Sequence, residues 1–222
     1  MTTLTAAAPS RRSSDHRDRL VAVIAGVAAV KSVDLLVTYG AAVWLLLGSW
    51  LALGALATRR WPTAGMAVIG AAALATNLTP AYRNHLALLV WVVVALLLFP
   101  DPQHERLALR WQLTIMYGFA AVTKVWPDWL SGAALEARTW IGPSLPEPML
   151  LGAAWGTVAV EAVLAVAVWL RWRGWLYLAV AVHLGFLLFT HRDPIGIARL
   201  AIFGTLSIAV WLRAARPAEA TA

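Results

Sequence analysis

Eight apolar segments, separated by short polar connections, occupy most of this chain and restrict what it can fold into. They cover residues 20–37, 40–58, 62–79, 84–100, 106–125, 148–170, 174–190 and 194–213. A helix needs about 20 apolar residues, with a range of about 17–25, to cross a membrane. With 61% hydrophobic and 13% charged residues, a soluble core could not bury this much apolar surface. The sequence therefore predicts an all-α, polytopic transmembrane bundle of about eight helices.

The arginines predict how this bundle is oriented, because basic residues in short loops stay on the cytoplasmic side of a membrane. An even number of spans with the N-terminus inside places both termini in the cytoplasm. Twelve arginines then fall on the cytoplasmic side, whereas the outer loops keep only Arg83, Arg138 and Arg192. The arginines are scattered over helix ends and form no stripe on one face, so we expect no nucleic-acid partner. The predicted location is the inner (plasma) membrane of a bacterium, with several passes.

The ends of the chain and its lack of cysteine set further limits. Residues 1–18 are polar and rich in Ser and Arg, and we predict a disordered tail and no signal peptide. A transmembrane domain would follow at 19–213 and a short tail at 214–222. With no cysteine, disulfides, a thiolate nucleophile and cysteine-bound metal centres are excluded, and no metal site is predicted.

Small residues such as Gly152, Gly156 and Ala159 can pack helices within one chain or between chains. The sequence is therefore compatible with either a monomer or an oligomer.

Polar side chains within the apolar segments are candidates for function, because ionisable groups are costly in a membrane. At about 1.5 Å of rise per helical residue, nearly all of them fall in the outer half of the predicted bundle. Glu161 lies nearer the middle of its helix. The candidates are Lys31, Asp34, Asn84, His85, Lys124, Glu161, His183 and Arg199.

Each candidate also has a structural interpretation. Lys31 and Asp34 lie three residues apart on one helix face, and we favour a structural ion pair over a proton relay for them. Arg199 can extend to the interface or pair with Glu161 or Asp193.

The remaining candidates have equally simple structural roles. His85 and His183 can each hydrogen-bond a neighbouring helix. Lys124 lies near the outer end of its helix and can also extend outward to the interface.

The segment around Lys124 resembles the membrane domain of the vitamin K-dependent gamma-carboxylases and the wider bacterial HTTM family. The matching positions are Gln112, Tyr117, Ala120, Lys124, Asp128, Trp129 and Gly132. Three other features agree in order and spacing, so that the resemblance covers about residues 20–212. These are the helix-opening Asn84 and His85, the carboxylate Glu161, and His183 followed by Ile195 and Gly196.

This resemblance implies a quinol- and O2-dependent enzyme whose site faces the outer side. Lys124 would be the base that deprotonates a reduced naphthoquinone, either vitamin K hydroquinone or menaquinol. His85 and His183 would position the quinol oxygens. The quinol would become an epoxide, and the strong base formed would take a proton from an acceptor, with CO2 adding if the acceptor is carboxylated. The other residues expected to contact the cofactor are Asn84, Tyr117, Trp129 and Arg199, with Lys31, Asp34 and Glu161 in structural or relay roles.

The acceptor and two other functional classes stay open. The longest outer connection is only about 126–147, so the acceptor would be small or lipid-like, or a peptide presented by a partner protein. The membrane lipid would deliver the quinol. A second class is a non-catalytic maturation or immunity factor for a secreted peptide toxin, in which Lys124 would be dispensable. The least favoured class is an electron-transfer protein with haem held by His85 and His183.

Overall fold

The computed structural model describes residues 11–39, 42–78, 84–170, 174–190 and 194–215, and every regular element in these ranges is a helix. In chain order they are α1 (Arg11–Tyr39), α2 (Ala42–Ala57), α3 (Pro62–Asn77), α4 (Asn84–Leu98), α5 (Pro102–Thr123), α6 (Pro127–Leu130), α7 (Ala133–Arg138), a 3-10 helix (Gly142–Ser144), α8 (Glu147–Ala167), α9 (Gly174–Thr190) and α10 (Pro194–Ala214).

Each of the eight predicted apolar segments forms a helix, which confirms an all-helical fold over the described residues. They are α1 to α5 and α8 to α10. The connection predicted at 126–147 is not an open loop, because it contains α6, α7 and the 3-10 helix. These three short helices, with the residues between them, form a cap over one end of the bundle, which we call the capped end.

Three stretches are long and apolar enough to cross a membrane. They are Arg17–Thr38, Glu147–Ala167 and Ile195–Ala214. The shorter apolar helices include α2, which has 16 residues and is therefore only about 24 Å long, less than the roughly 30 Å of a hydrocarbon core. Membrane association is thus supported by three helices, and the eight-span topology stays a prediction.

Helix α1 starts earlier than the sequence predicted. It begins at Arg11, so residues 11–18 are helical where a disordered tail was expected, while residues 1–10 lie outside the described part. The guanidinium of Arg17 donates to the carbonyl oxygens of Leu96 at 2.6 Å and Pro100 at 3.4 Å. These bonds hold the start of α1 against the end of α4, a long-range contact that local composition does not reveal.

Helix α10 lies at the centre of the bundle. Helices α1 to α4 pack on one another in sequence, α5 packs along α8, and α10 contacts α1, α4, α5 and α9. Its inward face carries Leu206, Ser207, Val210 and Trp211, which are all buried. The last helix of the chain therefore joins the first four helices to the rest.

Helices α2 and α3 approach closely because glycine lies at their contact. A Cβ added to Gly65 would collide with the backbone nitrogen of Thr58 and would lie 2.8 Å from the carbonyl oxygen of Gly54. A Cβ on Gly54 would lie 2.8 Å from Cγ1 of Ile69. Small residues permit such backbone contact between apolar helices, where dispersion replaces hydrophobic burial as the main attraction.

The outer surface of the bundle is strongly apolar. Val37, Phe119, Val122 and Tyr177 are each at least 70% exposed, and exposed large apolar side chains occur on all eight long helices. Monomeric soluble proteins rarely expose contiguous apolar patches of more than a few hundred Å². This surface agrees with a lipid environment.

The short α4–α5 connection is ordered by the start of α5. The carboxylate of Asp101 accepts hydrogen bonds from the backbone N–H groups of Gln103 and His104 at 3.0 and 2.9 Å, and Pro102 occupies the first helical turn. This is the arrangement expected of an N-cap residue. The bonds, first of all that from the His104 N–H, hold the pKa of Asp101 below its ordinary value.

A buried ion pair joins α5 to α10 at the end of the bundle opposite the cap. Arg213 donates through Nε to Oε1 of Glu105 at 2.6 Å, and Nε of Arg17 lies 3.8 Å from the other carboxylate oxygen. Glu105 is fully buried, and Arg213 is only 4% exposed. Charges at such depth are tolerated when they are paired, so the three side chains tie α1, α5 and α10 together.

We expect Glu105→Leu to destabilise the protein strongly, because it leaves the Arg213 guanidinium buried without its counter-ion. Removing one partner of a buried pair costs about 3–5 kcal/mol. Unfolding by SDS in mixed micelles, followed by tryptophan fluorescence, measures the loss. The double variant Glu105→Leu/Arg213→Met should recover much of it. Glu147→Leu removes an exposed carboxylate and serves as the control, and an equal loss in that variant would contradict the ion-pair interpretation.

Candidate functional site

A cavity of about 1250 Å³ lies at the capped end of the bundle. Its walls come from α5, α8, α9 and α10, and residues of the cap close one side. The predicted site residues Tyr117, Lys124, Trp129, Glu161, His183 and Arg199 all line it. Side chains that are up to 82 residues apart in the sequence thus meet in one cavity.

Lys124 turns into this cavity, and the interpretation that it extends outward is wrong. Helix α5 ends at Thr123, with Lys124 as its C-cap. The ammonium Nζ lies 2.7 Å from both carboxylate oxygens of Glu161 on α8 and donates to the carbonyl oxygen of Ala120 at 3.3 Å. The side chain of Glu161 is 5% exposed and that of Lys124 is 17% exposed. A bidentate ion pair therefore lies in the wall of the cavity.

Antiparallel packing of α5 and α8 brings this pair together. Along α5 and into the cap, Thr114 contacts the carbonyl oxygen of Ala165, Lys124 contacts Glu161, and Trp129 contacts the carbonyl oxygen of Ala154. Residue numbers thus increase along α5 while those of their partners on α8 decrease, as expected for antiparallel helices. The register of this helix pair decides that Glu161 faces Lys124.

Aromatic rings surround the ammonium of Lys124. Its Nζ lies 5.3 Å from the ring centre of Trp129 and 5.9 Å from that of Phe186 on α9, within range of cation–π attraction. Trp129 is buried, and its indole N–H donates to the carbonyl oxygen of Ala154 at 3.3 Å. In the structure Trp129 therefore fixes the cap on α8 and faces the predicted base.

Gly132 shapes the cap beside Trp129. Its φ of 83° lies in the left-handed region, which favours glycine. A Cβ at this position would also lie 2.8 Å from Cβ of Leu150 on α8. This glycine lets α7 begin immediately after α6, so that the cap turns back over the cavity.

Tyr117 and His183 form a second polar pair in the same cavity. The Tyr117 hydroxyl on α5 and Nε2 of His183 on α9 are 2.9 Å apart and share a hydrogen bond. Phe203 on α10 packs against the imidazole edge to face, with ring centres 5.4 Å apart. Tyr117 is only 3% exposed, so this bond orients the partly exposed imidazole from behind.

The ion pair predicted between Lys31 and Asp34 is formed, and Arg199 joins it. Lys31 is fully buried and donates to Oδ2 of Asp34. Arg199 of α10 donates to the same carboxylate through Nε and Nη2 at 3.1–3.3 Å, and the Thr38 hydroxyl donates to Oδ1 at 3.0 Å. The sequence suggested Glu161 or Asp193 as partners of Arg199; Glu161 pairs instead with Lys124, and Asp193 lies outside the described residues.

Two predicted site residues begin α4, and two further positions of the resemblance lie away from the cavity. Asn84 and His85 open α4, as predicted, but their side chains lie outside the described part of the structure. Of the other positions in the resemblance, Gln112 donates to the carbonyl oxygen of Leu88 on α4 at 3.1 Å and supports helix packing. Asp128 is exposed in the first turn of α6.

Several cavity residues were not identified from the sequence, among them two phenylalanines and an arginine. Phe186 and Phe203 lie in largely apolar helices, where periodicity does not distinguish a cavity-facing ring from a lipid-facing one. Arg138, the last residue of α7, also lines the cavity. The sequence places Arg138 among the arginines of the outer loops. Its position between the Lys124 segment and α8 nevertheless indicates that it lies near the cavity.

The arrangement is suited to moving protons beside an apolar ligand. An ammonium, a carboxylate, a phenol and an imidazole share one cavity whose remaining walls are largely apolar. These are the side chains that act as general acids and bases. Among the described residues, no group of three or more His, Asp or Glu side chains is placed to hold a metal ion.

No family model, curated protein or solved structure matches this chain.

We expect Lys124 and Glu161 to be energetically coupled. Lys124→Met or Glu161→Leu alone leaves one uncompensated charge in the cavity wall, whereas the double variant removes both charges. Each single variant should therefore be less stable than the double variant, with a coupling energy of about 1–3 kcal/mol. A double-mutant cycle on unfolding in mixed micelles measures it, with the exposed Thr123→Val as the control. Strictly additive effects would show that the two side chains do not pair.

Proposed function

We propose that this chain is an integral membrane enzyme of the vitamin K-dependent carboxylase-like (HTTM) type, which uses a reduced naphthoquinone and O2. The observation that carries the proposal is the Lys124–Glu161 pair in a largely apolar cavity that also holds the Tyr117–His183 pair. These side chains come from three different helices and meet in one cavity.

The Lys124–Glu161 pair acts as one proton-accepting unit. Because Nζ lies 2.7 Å from both carboxylate oxygens, a proton can pass from the ammonium to Glu161 and leave a neutral amine and a neutral acid. The amine of Lys124 then takes a proton from a hydroxyl group of the bound ligand, and Glu161 retains the proton it received.

The cavity fits a flat, lipid-soluble hydroquinone. Phe186, Phe189 and Phe203 supply ring surfaces, and Lys124 and the Tyr117–His183 pair supply the polar contacts that a hydroxylated ring needs. When bound, a reduced naphthoquinone supplies with O2 the strong base that abstracts a proton from the acceptor. His183, oriented by Tyr117, would hold the ligand oxygen, and Trp129 and the cap would keep water from Lys124.

The acceptor substrate would bind in the same cavity as the quinol. The predicted acceptor is small or lipid-like, or a peptide delivered by a partner protein, and CO2 takes part only if the product is a carboxylate. The roles proposed for His85 and Asn84 in holding the quinol depend on their place at the start of α4. Arg199 would act at the cavity wall through its charge while it is bound to Asp34.

We further propose that all eight long helices cross the inner (plasma) membrane, with both termini cytoplasmic and the cavity facing the outer side. The distribution of arginines supports this orientation, and the exposed apolar side chains on the shorter helices support their contact with lipid. Short helices are accommodated by local thinning of the bilayer.

Single-cysteine labelling should report this topology, because the chain has no native cysteine. In intact bacterial cells, a membrane-impermeant maleimide should label Leu78→Cys and Glu136→Cys. Arg60→Cys and Gln103→Cys should be labelled only after the membrane is permeabilised. Equal labelling of positions 60 and 78 in intact cells would contradict a crossing by α3.

The enzymatic proposal predicts quinone epoxide after incubation of the purified protein with reduced naphthoquinone and O2. Lys124→Met should lower epoxide formation at least about 100-fold, the usual contribution of a general base. The double variant Lys124→Met/Glu161→Leu should be equally inactive although its stability is restored. Epoxide is measured by mass spectrometry, and Thr123→Val is the control for a neighbouring change.

The outcome also separates the two leading functions. Epoxide that survives in both Lys124 variants would exclude Lys124 as the base. A wild-type protein that makes no more epoxide than these variants would favour the non-catalytic maturation or immunity factor, in which the ion pairs only hold the bundle together.

A further inference from the structure

We propose that the cavity also binds a membrane amphiphile with an anionic head group, a phosphate or carboxylate held at Arg138, with its chain leaving the bundle between α8 and α9. This inference concerns binding alone and does not require the quinol chemistry. It rests on the position of Arg138, on the wall opposite it, and on the glycines where the two helices face each other.

Arg138 supplies the charge at the cavity mouth. It is exposed at the end of α7 and lines the cavity, and within the described residues it has no ion pair or hydrogen bond for its side chain. The backbone near it is fixed, because the N–H of Trp140 donates to the carbonyl oxygen of Phe189 on α9 at 3.1 Å. The guanidinium therefore extends beside the cavity from an anchored backbone segment, and it can form paired hydrogen bonds with a phosphate or carboxylate.

A second guanidinium lines the same cavity. Arg199 also lines the cavity, and its side chain is 26% exposed while it is bound to Asp34. Lys31 shares the same carboxylate from behind. The Lys124–Glu161 pair is neutral as a whole, so it does not cancel the charge of Arg138.

The rest of the cavity suits a hydrocarbon chain. Phe186, Phe189 and Leu150 line it, and its volume of about 1250 Å³ exceeds the roughly 300–1,000 Å³ of ordinary ligand pockets. A free anion would leave this apolar space unused, whereas an uncharged lipid would leave Arg138 without a counter-charge. An anionic amphiphile satisfies both ends.

Glycines with open space at the Cβ position line the cavity on both α8 and α9. Gly156 on α8 and Gly185 on α9 both line the cavity, and a Cβ added to either would have no atom within 4 Å. The two helices make few contacts with each other compared with the other helix pairs of the bundle. A chain can therefore pass from the cavity into the surrounding lipid at this point.

Binding to the full-length protein in a neutral detergent tests the proposal. The probes are dioctanoyl phosphatidic acid, dioctanoyl phosphatidylcholine with the same chains, and inorganic phosphate, each titrated while bound species are counted by native mass spectrometry. Phosphatidic acid should bind about tenfold or more tightly than phosphatidylcholine, as charge-assisted hydrogen bonds imply. Inorganic phosphate should bind far more weakly than phosphatidic acid.

Variants test separately the head-group contact at Arg138 and the path of the chain between α8 and α9. Arg138→Gln should weaken phosphatidic acid about tenfold without affecting phosphatidylcholine, while Arg106→Gln, which removes a charge from the other end of α5, should change neither. Gly156→Leu should weaken both lipids because its side chain occupies this path, whereas Gly152→Leu, one turn away and outside the cavity, should not. Gly185→Leu repeats this test from the facing helix if Gly156→Leu does not fold.

Three results would overturn the proposal. Equal affinity for the two lipids, or an unchanged affinity for phosphatidic acid in Arg138→Gln, would show that Arg138 does not bind an anionic head group. Binding of inorganic phosphate as tight as that of phosphatidic acid would show that the chain contributes nothing to binding. Unchanged binding in folded Gly156→Leu and Gly185→Leu would show that the chain does not pass between α8 and α9.

Discussion

The bundle depends on how α10 is held near both ends by ion pairs. Near its start, Arg199 binds Asp34 of α1, and near its end Arg213 binds Glu105 of α5. These arginines are 14 residues apart, which is about 21 Å along a helix. Dispersion forces between apolar helices act in many registers, but each ion pair is satisfied in only one. The two pairs thus fix the register of the central helix, and with it the walls of the cavity.

The same requirement explains why the reactive groups are paired. A single lysine or glutamate at the wall of an apolar cavity would be costly, whereas Lys124 and Glu161 neutralise each other and can still exchange a proton. The cap contributes from the other side: Gly132 turns the chain, and Trp129 covers the ammonium and anchors on α8. The contacts that stabilise the bundle are therefore the same ones that we propose to react, so that a variant must be compensated before its effect on activity can be interpreted.

The cavity has two chemically different regions. The Lys124–Glu161 and Tyr117–His183 pairs can move protons and hold ligand oxygens, while Arg138 at the mouth offers a fixed positive charge next to an apolar wall. The glycines of α8 and α9 connect this wall to the surrounding lipid. A membrane-dissolved ligand can thus approach the polar pairs without crossing water, and a head group held at Arg138 would define how deeply its chain enters.

The sequence by itself determined the helices and the inventory of polar groups. Apolar segments of defined length have few alternatives to helix in lipid, since their backbone polar groups must be satisfied internally, and the rarity of charges within them marked Lys124, Glu161, His183 and Arg199. Only the tertiary structure decided the pairing: that Arg199 reaches Asp34, that Lys124 turns inward to Glu161, and that Arg138, Phe186 and Phe203 face the cavity. Those choices depend on the rotation and register of largely apolar helices, and the sequence of such helices gives little periodic signal of which face turns inward.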